Sequence, residues 1–116
     1  MKRYLCVFTG SPSAMTSWQS LSENERERRE ARGMAAWEKW AAEHAAIIVE
    51  MGGPLSKTKL VSTNGITDIH NNLAGFVIVQ AESQDAAAQL FIAHPHFTIF
   101  PGDGVEVMEI LPALPT

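Results

Sequence analysis

The chain has 116 residues and a formal net charge of −4 at pH 7, with 46% hydrophobic and 19% charged residues. This balance is typical of a globular protein, and the length allows one hydrophobic core, so we expect a single domain over residues 1–116. The acidic charge argues against a nucleic-acid partner, which requires clustered Lys and Arg.

Membrane insertion and secretion are also disfavoured. The long uncharged stretch 86–102 is interrupted by prolines and histidines, whereas a membrane span needs roughly 20 mostly apolar residues. The apolar run before Thr9 and Gly10 is shorter than that of a signal peptide. The single cysteine allows no internal disulfide. We therefore expect a cytoplasmic protein.

The first predicted element is a strand over residues 2–9. Both of its alternating sets are apolar, with Tyr4 and Cys6 in one set and Leu5 and Val7 in the other. This pattern indicates that both faces of the strand are covered. A buried Cys6 with no basic neighbour is expected to be inert.

A long helix follows a Ser-, Gly- and Pro-rich stretch, residues 10–22, that predicts a loop. Ser22 and Glu25 form a capping box at its start, and the helix is predicted from about Glu23 to Ile48. A short extended piece, residues 49–51, follows, and Gly52 and Gly53 end this helical region. Gly33 inside it costs about 1 kcal/mol relative to Ala, which indicates a close contact or a bend. One apolar stripe runs along its second half and comprises Met34, Trp37, Trp40 or Ala41, His44, and Ile47 or Ile48.

Two strand-like runs come next, residues 57–62 and the strongly apolar 75–81. Asn64 and Gly65 predict a tight turn after the first run, because both tolerate positive φ. Residues 66–72 are polar and predict a loop or a frayed strand. The run 75–81 is expected at the centre of the sheet.

The last third of the chain predicts a short helix and a closing strand. Ser83 caps the helix and Pro95 ends it. A loop over residues 94–104 leads to the strand 105–111. The resulting order, β-α-β-β-α-β, is one of the few layouts that cover a small sheet with two helices.

This order and four stretches of sequence resemble the YCII-related (DGPF) domain family of the dimeric α/β-barrel superfamily. The stretches are KRYLCVF, MAAWEKWAAEHAAIIVEMGGPL, NLAGFVIVQAESQDAAAQLFIAHP and GDGVEVMEILP. The resemblance implies an α+β, ferredoxin-like fold with an antiparallel sheet, and a homodimer in which two sheets pack face to face as a barrel. That arrangement would cover the second apolar face of the first strand.

The chain departs from the family pattern at two places. The middle hairpin reads STNGITDIHNNLAGF and lacks the family's Asp-Gly-Pro-Phe motif. Met108 stands where the closing pattern has arginine. The roles of those family residues are therefore not carried over to this chain.

His94 and His96, in the sequence His-Pro-His, are the candidate catalytic residues. Histidine titrates near neutrality, so the two could form an acid/base pair or bind a metal. A metal would need a third ligand that no spacing supplies, and no cofactor motif is present, so neither is predicted. Asp103 could hold the tautomer of His96. The alternative places His94 at a helix C-terminus, His96 in solvent and Asp103 in a simple turn.

Trp37, Trp40, His44 and Tyr4 are the candidate substrate-binding residues. The resemblance implies a ligand cleft between the first helix and the sheet, with aromatic walls and His44 at its base. The alternative is ordinary core packing with a neutral His44, and Tyr4 fits either arrangement.

Two functions remain open at this level. The first is a lyase or isomerase that uses His-mediated proton transfer on a small aromatic or unsaturated molecule. The second is a non-catalytic small-ligand-binding or regulatory dimer, since relatives of this type often occur beside sigma-factor genes. An enzyme should place a histidine with a perturbed pKa in a cavity, whereas a binding module should show an apolar pocket without convergent titratable groups.

Overall fold

A computed structural model describes residues 1–113 of the chain. The strands are β1 (Lys2–Thr9), β2 (Ile48–Pro54), β3 (Thr58–Ser62), β4 (Gly65–Ile69), β5 (Leu73–Ala81) and β6 (Gly104–Glu109), and the helices are α1 (Pro12–Gln19), α2 (Glu23–Glu43), α3 (Gln84–Gln89) and α4 (Pro95–Thr98). Within the described part, no helix combines the length and the apolar character that crossing a bilayer requires.

The centre of the fold is a four-stranded antiparallel sheet with the order β2-β5-β1-β6. Strand β1 pairs with β5 from Lys2 opposite Ala81 to Thr9 opposite Leu73. Taken with α2 and α3, these strands give the β-α-β-β-α-β order, so the predicted α+β ferredoxin-like fold is confirmed. The apolar run around 75–81 lies inside the sheet, as predicted.

The hydrophobic core lies between one face of the sheet and the helices. Alternation along β1 places Tyr4, Cys6 and Phe8 on this face. Trp40 from α2 and Phe91, just after α3, pack against them.

The second face of the sheet also carries an apolar group of side chains. The group consists of Leu5, Val7, Phe76, Ile78 and Met108, and the register places Arg3, Glu50, Gln80 and Glu106 around it on the same face. Met108 keeps 42% of its surface exposed. The molecule is only 18 Å thick in its shortest dimension, which corresponds to one sheet and one helical layer. The helical residues of the core cluster all pack on the first face, so none of them covers the second face.

Helix α2 ends earlier than predicted. It stops at Glu43 with His44 as its C-cap, and Ile48 already begins β2. The prediction of a helix to Ile48 is wrong because the β-branched run after Ile47 pairs with β5 instead of extending the apolar stripe. Ser22 caps the helix as predicted, since its hydroxyl accepts the Glu25 N–H at 3.2 Å. The reciprocal half of the capping box does not form, because the Glu25 carboxylate accepts from Arg28 and Arg29 instead.

The second strand of the main sheet is β2, not the predicted run at 57–62. That run forms β3, which pairs with β4 in a separate hairpin around Asn64 and Gly65. Val61 and Ile66 face each other on this hairpin and are 73% and 68% exposed. The turn was therefore predicted correctly, and the sheet to which its strands belong was not.

Two predicted loops contain short helices. In the first, Ser11 caps α1 by accepting the Ala14 N–H, and Pro12 occupies the first helical turn. In the second, Pro95 begins α4. Capping side chains and N-terminal prolines favour helices in these stretches despite their loop-like composition.

Candidate functional site

A cavity of about 460 Å³ lies where α2 crosses the ends of β1, β2 and β5. Its lining consists of Phe8, Met34, Trp37, Met51, Gly52, Gly53, Pro54, Ala74, Gly75, Phe76, His96 and Phe100. Of these described residues, His96 alone has a titratable side chain. The cavity is thus an apolar pocket with one group capable of proton transfer.

One wall of the cavity exists because β2 leaves regular pairing with β5. The register shifts on both sides of Glu50, and Gly52 has φ +64°. A β-carbon on Gly52 would overlap the carbonyl oxygen of Phe76. Only glycine combines this backbone conformation with so close an approach.

The opposite wall depends on contact between Gly33 and Phe100. Gly33 is buried in α2, and a β-carbon there would lie 2.5 Å from two atoms of the Phe100 ring. The ring therefore occupies the space that a side chain at position 33 would need. Of the two outcomes predicted for Gly33, a bend or a close contact, the structure shows the close contact.

His96 reaches the cavity from α4. Ala93 adopts φ 57°, an uncommon conformation for a residue other than glycine, and turns the chain into His94 and α4. The Nε2 atom of His96 lies 2.7 Å from the carbonyl oxygen of Thr9. A carbonyl oxygen only accepts hydrogen bonds, so Nε2 carries the proton and Nδ1 keeps its lone pair.

The lone pair of His96 is available to a ligand. Among residues 1–113, no group hydrogen-bonds Nδ1, and this atom is not sealed away from solvent. On the other side of the ring, a β-carbon on Gly102 would overlap Nε2. The ring is thus held by Gly102 and Thr9 and presents a free acceptor.

Burial lowers the pKa of His96, while its hydrogen bond to Thr9 and the charge of Asp103 act in the opposite direction. The Asp103 carboxylate does not bond the imidazole directly. The Oδ2 atom of Asp103 accepts the Ser11 N–H at 2.8 Å, and the backbone N–H of Asp103 donates to the Thr9 carbonyl at 2.9 Å. Asp103 therefore influences His96 through charge.

His94 lies behind the cavity wall. It is 1% exposed and caps α4, because its Nδ1 accepts the backbone N–H of His96 at 3.0 Å. Burial first, and then the positive charges of His96 and His44, lower the pKa of His94 to about 4. The structure thus places His94 at a helix N-terminus and His96 on the cavity wall. The alternative to catalysis had instead placed His94 at a helix C-terminus and His96 in solvent.

Of the four predicted binding residues, Trp37 lies on the cavity wall. Trp40 is in the core, where its Nε1 donates to the Leu90 carbonyl at 2.9 Å. His44 donates from Nδ1 to the Trp40 carbonyl at 2.7 Å, and Tyr4 is fully buried in the core cluster.

Several wall residues were not predicted as binding residues. Gly52 and Gly53 were interpreted only as the end of a helical region, and Phe100 as part of a loop. The aromatic and aliphatic content of 97–100 was the signal that this loop packs against something. No group of three or more His, Cys, Asp or Glu suited to a metal occurs among residues 1–113.

No family model matches the chain, and no curated protein matches it. Among solved structures it is similar to TftG, the 5-chloro-2-hydroxyhydroquinone dehydrochlorinase from Burkholderia phenoliruptrix AC1100, in complex with 2,5-dihydroxybenzoquinone. The match has a TM-score of 0.50 at 21% identity and covers 91% of this chain and 90% of that chain. At this identity the likeness shows that the two proteins share a fold.

Proposed function

We propose that the protein is a small-molecule lyase or isomerase in which His96 is the general base. One observation carries the proposal: an imidazole with a free Nδ1 stands on the wall of an otherwise apolar cavity. A general base must reach the proton that it removes. A solvent-accessible Nδ1 without a hydrogen-bond partner supports this role, on a ring that lines this cavity and also the neighbouring one beside α1.

The surroundings of His96 suit a reversible proton transfer. Its lowered pKa keeps Nδ1 unprotonated at neutral pH. When Nδ1 accepts a proton from the bound molecule, the Thr9 carbonyl and the Asp103 charge stabilise the imidazolium that results. The proton can then return at another atom, as in an isomerase, or a leaving group can depart, as in a lyase.

The walls favour a flat, apolar ligand. Phe8, Trp37 and Phe100 offer ring faces and edges, and aromatic rings pack well against other planar rings. The ligand in the structural neighbour, 2,5-dihydroxybenzoquinone, is a flat ring with polar oxygens at its rim, and its planarity supports a small cyclic substrate here. Trp40, His44 and Tyr4 act from the layer behind, by holding Trp37 and the sheet in place.

We further propose that the chain, as one domain, is a cytoplasmic YCII-like protein that forms a homodimer. The dimer would bury the second sheet face, where Leu5, Ile78 and Met108 form one row across three strands. Sedimentation at micromolar concentration should give twice the mass of the chain. A compact monomer would contradict the dimer and leave the cavity unaffected.

Proton abstraction can be tested without the natural substrate. Cyclohexanone incubated in deuterated buffer exchanges its α-protons when a base removes one and the C–H electron pair forms an enolate. We expect the native protein to accelerate this exchange, followed by NMR, and His96→Gln to abolish the acceleration. Glu82→Gln is the control, because it also introduces glutamine, and Glu82 is exposed and lies outside both this cavity and the neighbouring cavity that His96 also lines. Equal acceleration by the His96 variant would refute the proposal.

A second candidate is a non-catalytic ligand-binding or regulatory module. The observation that favours it is the single titratable group in the described lining, since most proton-transfer sites have a second polar group to stabilise developing charge. In that case 2,5-dihydroxybenzoquinone should quench tryptophan fluorescence on binding, and the protein should not accelerate α-proton exchange.

A further inference from the structure

We infer that His94 is a positioning residue, which fixes the backbone of His96 and thereby holds the proposed base at the cavity wall. That His94 holds His96 in place is argued from the structure alone. That this holding serves proton transfer rests on the proposed function.

The contact between the two histidines is direct. The first N–H groups of a helix have no partner within the helix, and a capping side chain has to accept them. In α4 the acceptor is Nδ1 of His94, 3.0 Å from the backbone nitrogen of His96. The same residue whose side chain reaches the cavity is therefore tethered through its main chain.

The capping ring cannot move freely, because aromatic rings surround it. The ring centroid of His94 lies 4.4 Å from that of Trp37, 4.8 Å from Trp40, 5.3 Å from Phe8 and 5.7 Å from Phe91. Helices are usually capped by short Ser, Thr, Asn or Asp side chains. Here the cap is embedded in the core, so the position of α4 is tied to the sheet and to α2.

The unpartnered atom of His94 indicates why an imidazole is present. Nε2 is buried and has no hydrogen-bond partner among residues 1–113. A buried unpartnered donor destabilises the folded state, so a leucine of similar size would be favoured if packing were the sole requirement. Leucine, however, would leave the His96 N–H without an acceptor.

Trp37 connects this cap to the ligand. It lines the cavity and is also the ring nearest to His94. A ligand that packs against Trp37 therefore contacts the residue that holds the cap of His96. His94 thus contacts both the cavity-wall residue Trp37, through its ring, and the proposed base His96, through a hydrogen bond to the backbone.

The tether requires a neutral His94, because a protonated Nδ1 would point a hydrogen at the His96 N–H. The titratable groups that face His94 are His96 on α4 and His44 after α2. Both disfavour a positive charge on His94, and the four surrounding aromatic rings carry none.

Two substitutions separate hydrogen bonding from volume. His94→Asn keeps a capping acceptor, and His94→Leu keeps the bulk without an acceptor. In ¹⁵N-labelled protein we expect the His96 amide of the Leu variant to exchange with solvent about tenfold faster than in the native protein, as for one lost hydrogen bond. In the same variant the pKa of the His96 imidazole should also move toward its ordinary value. The Asn variant should retain the native values.

The inference is overturned if the Leu variant keeps native His96 exchange and titration, or if the Asn variant loses them equally. Should the Leu variant fail to fold, the native protein still decides the question. A ¹⁵N–¹⁵N coupling across the hydrogen bond between the His96 amide and His94 Nδ1 is expected at pH 7, and its absence would refute the tether. None of these measurements requires activity, so a catalytically silent protein would count only against the proposed function.

Discussion

Mild acid should destabilise the folded protein through His94. Its ordinary pKa of 6.5 applies in the unfolded chain, and burial lowers it to about 4 in the folded one. Between these values the unfolded chain binds the proton and the folded chain does not. The stability due to neutral His94 is therefore fully present above pH 6.5 and is lost as the pH falls toward 4.

The size of this effect follows from the two pKa values. One pKa unit corresponds to about 1.4 kcal/mol, so complete protonation would lower the free energy of unfolding by about 3 kcal/mol. At pH 5 the loss relative to pH 8 should be about 2 kcal/mol. His96, whose pKa is lowered for the same first reason, adds to the loss in the same direction.

Urea unfolding followed by tryptophan fluorescence at pH 8 and pH 5 measures this loss, provided that one protein concentration is used throughout. His94→Asn keeps a capping acceptor and does not titrate. Its absolute stability should fall through lost packing, but its loss between pH 8 and pH 5 should be about 2 kcal/mol smaller than that of the native protein. If both proteins lose the same amount, the buried imidazole is not the source of acid sensitivity.

Three further outcomes are expected. Burial raises the pKa of the Cys6 thiol to about 12, so Ellman's reagent should react with it only after unfolding; rapid labelling of the folded protein would refute its burial. Gly33→Ala should lower the melting temperature despite the higher helix propensity of Ala, because its β-carbon meets the Phe100 ring; a higher melting temperature would show that the ring yields easily. Gly52→Ala should destabilise more than Gly65→Ala, since both have positive φ but only Gly52 also lacks space; equal losses would mean that backbone conformation alone matters.

The parts of the fold that could be predicted from sequence are those with strong local signals. The apolar alternation at 2–9 and 75–81 forms strands, and Ser22 is the N-cap of α2, as predicted. Strand β2 was predicted only in part, as the extended piece 49–51. Its apolar residues follow the helical stripe at compatible spacing, and only pairing with β5 makes them a strand.

The site was predictable in chemistry but not in shape. The His-Pro-His sequence drew attention to both histidines, yet which one lies at the cavity depends on the turn at Ala93 and the carbonyl of Thr9, distant in sequence. The walls arise where Gly52 and Gly33 admit neighbouring groups closer than any other residue would. Such fits are properties of the assembled structure and leave no local pattern.

Strand β2 forms one edge of the main sheet, and such an edge can recruit strands from other molecules into fibres. Its seven residues are interrupted by two register shifts. Its outward backbone groups therefore lack the even spacing that an incoming strand would need. The irregularity that opens the pocket should also keep concentrated solutions of the protein free of fibrils that grow from this side.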